Sequence, residues 1–354
     1  MKRRWLRPTR DSGRRPYAAV MSTVLAVSLV ALAAAFVDTA SATDFYVRPS
    51  GDDSGSGTQA QPFATVGRGL DALGPGDTLL IGAGVYHEGD FCPEVPATPN
   101  DPVTIRNVPG ERPVLDGDYR RWQFVELVEQ DGFVFRGLRM RCYRSCGISL
   151  RHCGYVTIAG CESYDNGAGG IELNHASFPG ADYDAHITVE GCVCYRNGWG
   201  RGWSSGIHLN NKGEGGVDSH HIIRRNTCFN NADGSDHHTD GNGIMFDVGG
   251  GGSCLIENNV CYNNGGAGIR VMDGRANVVN NTCYRNGWDR QNAYRPPELE
   301  LIERWMPGAV AGSVVRNNIL WARRSVAFEG ERYGGPFGLD DVDAGSIVFD
   351  HNLL

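Results

Sequence analysis

Short runs in which Ile, Val or Leu alternate with polar residues recur along most of the chain, and Asn-Gly or Gly-Gly pairs separate them. Alternation with a period of two is typical of β-strands, and Gly-containing pairs between such runs predict turns. No helical periodicity interrupts the series. The pattern therefore predicts an all-β protein built from many short strands.

These runs belong to one repeated unit. Copies include "GCESYDNGAGGIEL", "NNVCYNNGGAGIRV" and "NNTCYRNG", and one position recurs every 22 to 37 residues, at Cys161, Cys192, Asn226, Asn259, Asn281 and Asn318. A unit of two or three short strands cannot bury its apolar face alone, so successive units must stack, about 4.8 Å apart. The prediction is a single parallel β-solenoid over 43–354, in which asparagines at equivalent turns form hydrogen-bonded ladders.

The two ends of the predicted solenoid differ from its middle. The segment from about 43 to 90 contains a strand, a Gly/Ser loop and a short amphipathic run, 64–73. That run predicts a capping helix over the exposed apolar end of the solenoid. At the other end, "SIVFDHNLL" begins another turn of the solenoid and stops, which indicates either truncation or an unrecognised cap.

Residues 1–42 resemble an export signal. Seven Lys or Arg residues precede the nearly apolar stretch 18–37, and Ala40-Ser41-Ala42 has the form of a cleavage site. About twenty apolar residues could also anchor the chain in a bilayer. The small residues before 43 favour cleavage, so we expect a secreted, periplasmic or cell-surface protein without stable membrane insertion.

The net charge of the chain argues against nucleic acid as a partner. The chain carries a formal net charge of −8, and residues 1–42 contribute 7 − 2 = +5, so the mature part carries −8 − 5 = −13. An acidic exported protein is a poor partner for nucleic acid. Cation binding remains compatible with this charge, whereas the oligomeric state leaves no trace in the sequence.

Eleven cysteines are present, many of them at repeat positions. Five fall in one predicted column, Cys142, Cys194, Cys228, Cys261 and Cys283. Stacked cysteines on neighbouring turns could form disulfides, or they could pack as small apolar side chains. We expect mostly buried stacks with few disulfides.

Alternation also predicts which residues face away from the core. In "GGIELN", "SGIHLN", "NGIMFD" and "AGIRVM" the Ile, Leu, Phe and Val residues point inward. One outward column then contains Glu172, His208, Met245 and Arg270, and the next contains Asn174, Asn210, Asp247 and Met272. A polar face of this kind would suit an extended polymer, with the longest insertions as its walls.

These insertions supply candidate binding groups. Trp199 and Trp203 precede one strand, His238 precedes the next, and tryptophan faces suit the apolar faces of sugar rings. With Glu172 and Asn210 they form the predicted substrate-binding set. The tryptophans could equally pack a loop onto the solenoid.

The stretch "HHTDGNGIMFDVGGGG" groups hard oxygen ligands at a turn. Asp240, Asn242 and Asp247, with Asp236 or alternatively Asp233 as a fourth donor, predict a Ca²⁺ site. A transition-metal site through the histidines and a solvated loop without metal are the alternatives.

A bound uronic-acid polymer would define the chemistry. Removing the proton next to the sugar carboxylate requires neutralisation of that carboxylate and a base. Lys212, Arg270 and His208 are the candidate bases on the polar face. The same groups could serve a C5-epimerase, which returns the proton on the opposite side.

The stretch "PFATV…PGDTLLIGAGVYHEG" and the repeats that follow resemble the right-handed parallel β-helix superfamily of pectate lyases and related polysaccharide-active proteins. The resemblance implies a right-handed solenoid and an anionic polysaccharide partner. Because the superfamily includes lyases, hydrolases, epimerases and non-catalytic surface proteins, it leaves the activity open.

Within that superfamily, "DGNGIMFDVGG" is similar to the G-N-G-F-K-L-G-G motif of family-nine pectate lyases, whose Lys is the catalytic base. Gly241, Asn242 and Gly243 match the motif, but Met245 stands at the Lys position. The acidic pair that this family uses for calcium is also missing from "NGAGGIEL", where only Glu172 corresponds.

The leading hypothesis is an exported lyase that cleaves a uronic-acid-containing polymer by Ca²⁺-assisted β-elimination. A glycoside hydrolase with paired carboxylates is the rival enzyme class. The third hypothesis is a non-catalytic carbohydrate-binding or structural solenoid. The Met at position 245, where the motif has its catalytic Lys, favours this hypothesis.

Overall fold

The computed structural model describes residues 42–174, 186–200, 202–210, 220–247, 253–292, 294–322 and 335–354. The predicted signal segment lies outside the described residues, apart from its last residue. Twenty-eight β-strands and one short α-helix occupy the described part, and every pairing between these strands is parallel. The predicted single right-handed parallel β-helix is confirmed.

The strands form three parallel sheets, one on each side of the solenoid. Sheet 1 has eleven strands, β1 (Asp44–Val47), β2 (Thr78–Ile81), β4 (Val103–Asn107), β7 (Phe133–Arg136), β10 (Thr157–Ala159), β13 (Thr188–Glu190), β16 (His221–Arg224), β19 (Ser253–Glu257), β22 (Arg275–Val279), β25 (Val314–Arg316) and β28 (Val348–Asp350). Sheet 2 has nine, β3 (Gly84–Tyr86), β5 (Pro113–Asp116), β8 (Arg139–Arg141), β11 (Glu162–Tyr164), β14 (Val193–Tyr195), β17 (Thr227–Phe229), β20 (Val260–Tyr262), β23 (Thr282–Tyr284) and β26 (Ile319–Trp321). Sheet 3 has eight, β6 (Val125–Val128), β9 (Ile148–Arg151), β12 (Ile171–Asn174), β15 (Ser205–Asn210), β18 (Asn242–Asp247), β21 (Ile269–Met272), β24 (Leu299–Ile302) and β27 (Phe337–Asp340).

Inward side chains stack in columns from one turn of the solenoid to the next. In sheet 3, Ile171 lies beside Ile207 and Ile207 beside Ile244, and all three are fully buried. Burying one such side chain contributes about 1.5–3 kcal/mol. The predicted inward positions are therefore confirmed, and the register of sheet 3 is set by them.

Two asparagine ladders close the turns, as the repeat predicts. In one ladder the amide group of each Asn donates to the side-chain oxygen of the next, through Asn226, Asn259, Asn281, Asn318 and Asn352. The second runs through Asn166, Asn197, Asn231, Asn264 and Asn286, and Glu298 accepts at its end. Asn166 also donates to the Ser163 hydroxyl, and every other Asn of the two ladders also donates to a backbone carbonyl. The ladders therefore satisfy polar groups that would otherwise lack partners.

The N-terminal helix is shorter than the predicted run. Helix α1 (Val66–Leu70) begins at Thr65, whose hydroxyl accepts from the Arg68 amide. Gly69, one of its two glycines, lies against the side chains of Val47 and Leu79, so the helix packs on β1 and β2. Its role as a cap stays a prediction.

The cysteine column differs in one member from the predicted alignment. Cys194, Cys228, Cys261 and Cys283 are register neighbours on sheet 2 and are fully buried free thiols. Their column continues to Ser163 and Met140, so the placement of Cys142 in it is wrong. Cys142 follows β8 with a φ of 58°, outside the alternating strand.

Candidate active site

The outer face of sheet 3 forms the floor of a cleft of about 530 Å³. Register places the predicted first column, Glu172, His208, Met245 and Arg270, side by side, and it continues to Glu300. The second column contains Asn174, Asn210, Asp247 and Met272, and it continues to Ile302 and Asp340. Loops cover much of this face, which explains why most of the floor is buried.

Two exposed tryptophans stand at the cleft. Trp203 is 65% exposed and stacks on His237, with ring centroids 4.6 Å apart. Trp305 is 57% exposed and follows Arg304 on the loop after β24. Their exposed ring surface lies beside a polar floor, and that combination suits the apolar faces and hydroxyl groups of sugar rings.

A single buried carboxylate organises the loop that contains the HHTDGNG sequence. One oxygen of Asp233 accepts from the amide and hydroxyl groups of Ser235, and the other accepts from the amides of Thr239 and Asp240. Gly241 then takes a φ of 78°, where an added Cβ would lie 2.6 Å from the Ala232 carbonyl carbon. These contacts turn Asp240 toward the floor of the cleft.

Asp240, Arg270 and Glu300 form a buried charged group. Nε of Arg270 donates to Glu300 at 2.8 Å, and Nη1 donates to the Thr239 carbonyl at 2.9 Å and to Asp240 at 3.4 Å. Burial opposes the charge of Arg270, but the two carboxylates outweigh it and raise its pKa. Burial also disfavours the charged form of Asp240 and raises its pKa, although the positive charges of Arg270 and His208 act in the opposite direction. Arg270 is therefore held as a cation and is unsuited to accept a proton.

His208, Asn210 and Asp247 leave three buried polar atoms without a hydrogen-bond partner among the described residues. They are Nε2 of His208, Oδ1 of Asn210 and Oδ1 of Asp247. Nε2 lies 3.5 Å from the other oxygen of Asp247, which is an ion-pair distance rather than a hydrogen bond. Burial lowers the pKa of His208, but Asp247, with Glu172 and Asp240, more than compensates and raises it. Buried polar atoms normally have hydrogen-bond partners, so these three atoms indicate a binding site for an external polar group.

The remaining predicted site residues divide between the cleft and other places in the chain. Trp199 lines a separate cleft, and His238 contacts Asp289 at 3.1 Å outside the cleft lining. Glu172 lines the cleft, and its Oε1 accepts from the Gly169 amide. Lys212 lies outside the described residues.

The structure adds residues that the sequence reading missed. Glu300 and Asp340 extend the two columns, and Tyr294, Arg304 and Trp305 belong to the wall. Glu300 could have been found by aligning "LELI" with "IRVM", because both have the same alternation. The wall residues lie in insertions that do not repeat, so alternation gives no signal for them.

The four predicted calcium ligands do not fit Ca²⁺ as the structure arranges them. Asp236 is exposed and outside the cleft lining, and Oδ1 of Asn242 accepts from the Ala267 amide at 2.8 Å. Asp240 is paired with Arg270. Asp247 with Asn210 would offer a cation few oxygens, whereas Ca²⁺ takes six to eight oxygen ligands.

The family and structural comparisons agree with the fold. The model of the "Pel9A-like, right handed beta helix region" family matches residues 45–296, so the chain belongs to this family. A structure titled rhamnogalacturonan lyase is 14% identical, with 88% of this chain and 87% of that chain covered and a TM-score of 0.56. One titled glycoside hydrolase is 11% identical, with 88% and 96% covered and a TM-score of 0.53.

Pectate lyase Pel9A is 15% identical over 79% of this chain and 80% of that chain, with a TM-score of 0.46. Among curated proteins, none matches this chain in sequence. At these identities the two structures with TM-scores above 0.5 support the fold alone, because one fold can host many activities. No helix among the described residues is long and apolar enough to cross a membrane.

Proposed function

We propose that this chain is an exported lyase that cleaves a uronic-acid-containing polysaccharide by β-elimination in the cleft on sheet 3. The observation that carries the proposal is the unpartnered Nε2 of His208 on the cleft floor, beside Asp247. β-Elimination requires a base that removes the proton next to the sugar carboxylate. A polymer bound against the exposed tryptophans would lie over the floor of the cleft, with the proton next to its carboxylate facing His208.

His208 is the best candidate for the base among the three predicted from the sequence. The contacts of Arg270 keep it protonated, and Lys212 lies outside the described residues. Because the pKa of His208 is raised above its ordinary value, its neutral form becomes available only at a pH above that raised value. The neutral imidazole would take the proton at Nε2, and Asp247 would stabilise the imidazolium that forms.

Arg304 is the candidate for the group that neutralises the substrate carboxylate. It lines the cleft, donates to the Tyr294 hydroxyl at 3.1 Å and forms no ion pair with a carboxylate in the described part of the chain. Arg270, by contrast, already balances two carboxylates. A planar guanidinium binds a carboxylate through two parallel hydrogen bonds, which would hold the uronate and stabilise the developing enolate.

A glycoside hydrolase is the second candidate, and one observation favours it. Five carboxylates line the cleft, at Glu172, Asp240, Asp247, Glu300 and Asp340. The raised pKa of Asp240 would suit a general acid that protonates a glycosidic oxygen. Its contacts with Arg270 and Thr239 leave it less open to substrate than His208.

The test is incubation of the mature protein with polyuronates and with neutral glycans. Ultraviolet absorbance detects the conjugated double bond that elimination creates, and a reducing-end assay detects every cleavage. We expect both signals together on a uronate polymer. Reducing ends without absorbance would replace the lyase by a hydrolase, and neither signal from folded protein across the panel would reject both enzymes.

A further inference from the structure

A second cleft lies where the turns pass from sheet 2 to sheet 3. Its volume is about 630 Å³, and it shares no lining residue with the cleft on sheet 3. Its side chains are those of Tyr119, Trp122, Arg144, Asp165 and Trp199, with Asn166 and glycine backbone between them. We call these residues the corner site.

Three large aromatic side chains of the corner site are open to solvent. Tyr119 is 59% exposed, Trp122 43% and Trp199 56%. A tryptophan that only packs a loop onto the solenoid would bury most of its ring, so this exposure argues against that role for Trp199. Exposed rings grouped around a concavity are typical of ligand sites.

The aromatic rings are supported from behind. Trp199 stacks on Trp288, with centroids 6.2 Å apart and planes inclined by 25°. The indole of Trp288 is itself fixed, because its Nε1 donates to the Asn263 carbonyl at 2.7 Å. One face of Trp199 is therefore packed on Trp288, and the ring is held for a ligand that contacts it from the corner site.

Backbone hydrogen bonds between successive turns make the base of the corner site rigid. The Ser145 amide donates to the Trp122 carbonyl at 2.7 Å, and the Gly200 amide donates to the Gly167 carbonyl at 2.9 Å. Trp122 precedes β6 and Trp199 precedes β15, three strands further along sheet 3. Three spacings of about 4.8 Å place their turns roughly 14 Å apart along the solenoid. That span suits a polymer chain better than a single sugar.

The charges of the corner site favour an anion. Asp165 is neutralised by Arg196, which holds both carboxylate oxygens at 2.6 Å. Arg144 lies over the Trp122 ring, with its Cζ 5.6 Å from the centroid, and forms no ion pair among the described residues. A guanidinium stacked on an aromatic ring keeps its edge free for a carboxylate.

We propose that Trp122, Arg144 and Trp199 form a second, non-catalytic binding site for an acidic polysaccharide. The rings of the two tryptophans stack on sugar faces, and Arg144 binds a uronate carboxylate. The site holds the polymer on the protein while the cleft on sheet 3 acts on it. This inference rests on the proposed function only for the substrate class, since binding at the corner site needs no chemistry.

The experiment is affinity electrophoresis through gels that contain polygalacturonate or a neutral glycan. All proteins carry His208→Gln, so that cleavage of the gel polymer does not complicate the comparison. The tested variants are Trp122→Ala with Trp199→Ala, and Arg144→Gln alone. Trp321→Ala is the matched control, because Trp321 is 71% exposed and lines neither cleft.

The double tryptophan variant should bind polygalacturonate on the order of tenfold more weakly, and Arg144→Gln several-fold more weakly with little change on neutral glycan. The Trp321 control should match its parent. Equal retardation of parent and double variant would overturn the proposal, as would a parent that no acidic polymer retards. A parent that binds through the corner site while the unmodified protein cleaves nothing would reject the proposed function and keep this inference.

Discussion

His208 and Asp247 are diagonal neighbours on adjacent strands of sheet 3, with Nε2 of the imidazole 3.5 Å from Oδ2 of the carboxylate. Diagonal side chains on one face of a sheet lie within reach of each other, so the contact follows directly from the register. Each residue also has a buried atom without a partner. The pair is therefore held by the fold at the floor of the cleft, with hydrogen-bonding atoms that no described residue uses.

The carboxylate sets the pH at which His208 can act as a base. Asp247 raises the histidine pKa, so the neutral form appears only above that raised value, and the rate should increase with pH through it. Asp247→Asn removes the attraction and should move the rising limb of the kcat/KM profile to lower pH. A profile unchanged by Asp247→Asn would contradict the pairing.

Removing the cation from the buried charged group should destabilise the protein. Arg270→Met leaves Asp240 and Glu300 buried without their partner, and breaking a buried pair in this way costs about 3–5 kcal/mol. Urea unfolding measures the loss. Arg304→Gln is the control, because its side chain donates to the Tyr294 hydroxyl and forms no ion pair in the described structure. Arg304→Gln should raise KM for a polyuronate with little change in the free energy of unfolding. A large loss of unfolding free energy in both variants would contradict a specific role for the buried charged group.

Chelation should leave most of the activity in place. Three of the four predicted calcium ligands are engaged elsewhere or lie outside the cleft lining, and the proposed mechanism neutralises the substrate carboxylate with Arg304. The measurement is the rate of absorbance increase on a polyuronate after treatment with a chelator, with and without added Ca²⁺. Complete loss that Ca²⁺ restores would require a calcium site built from other residues.

The asparagine ladders should be a major source of stability. Asn264→Ala removes the bonds to the Cys228 carbonyl and Asn286 and the acceptor for Asn231. Each buried group left unpaired costs about 1–3 kcal/mol, so thermal unfolding should occur at a clearly lower temperature. Asn277→Ala, on an exposed position of β22, is the control and should change little. Similar effects from both substitutions would refute the special role of the ladder.

Much of the fold was predictable because it depends on local alternation repeated many times. Ile171, Ile207 and Ile244 were placed inward and His208 outward by period alone, and register then fixed their neighbours. Asparagine ladders followed from the same repeat. The repeat does not show that β8 ends at Arg141, so it gives no signal that Cys142 lies outside the column.

The site was less predictable because its walls come from insertions without periodicity. The sequence predicts Trp199 beside the cleft on sheet 3. In the structure Trp199 stacks on Trp288 and lines the corner site instead. Pairing of Arg270 with Asp240 depends on a loop that Asp233 organises across several residues. Contacts of this kind depend on tertiary structure and leave no local pattern.

The most direct test of the central claim is the rate of conjugated-double-bond formation from a polyuronate by the unmodified protein and by His208→Gln. Glutamine keeps a polar side chain but cannot accept the proton, so kcat should fall by about 10²–10⁴-fold while folding is retained. Trp321→Ala should match the unmodified protein. A folded His208→Gln variant with undiminished rate would show that His208 is not the base, and the account of the cleft would then be wrong.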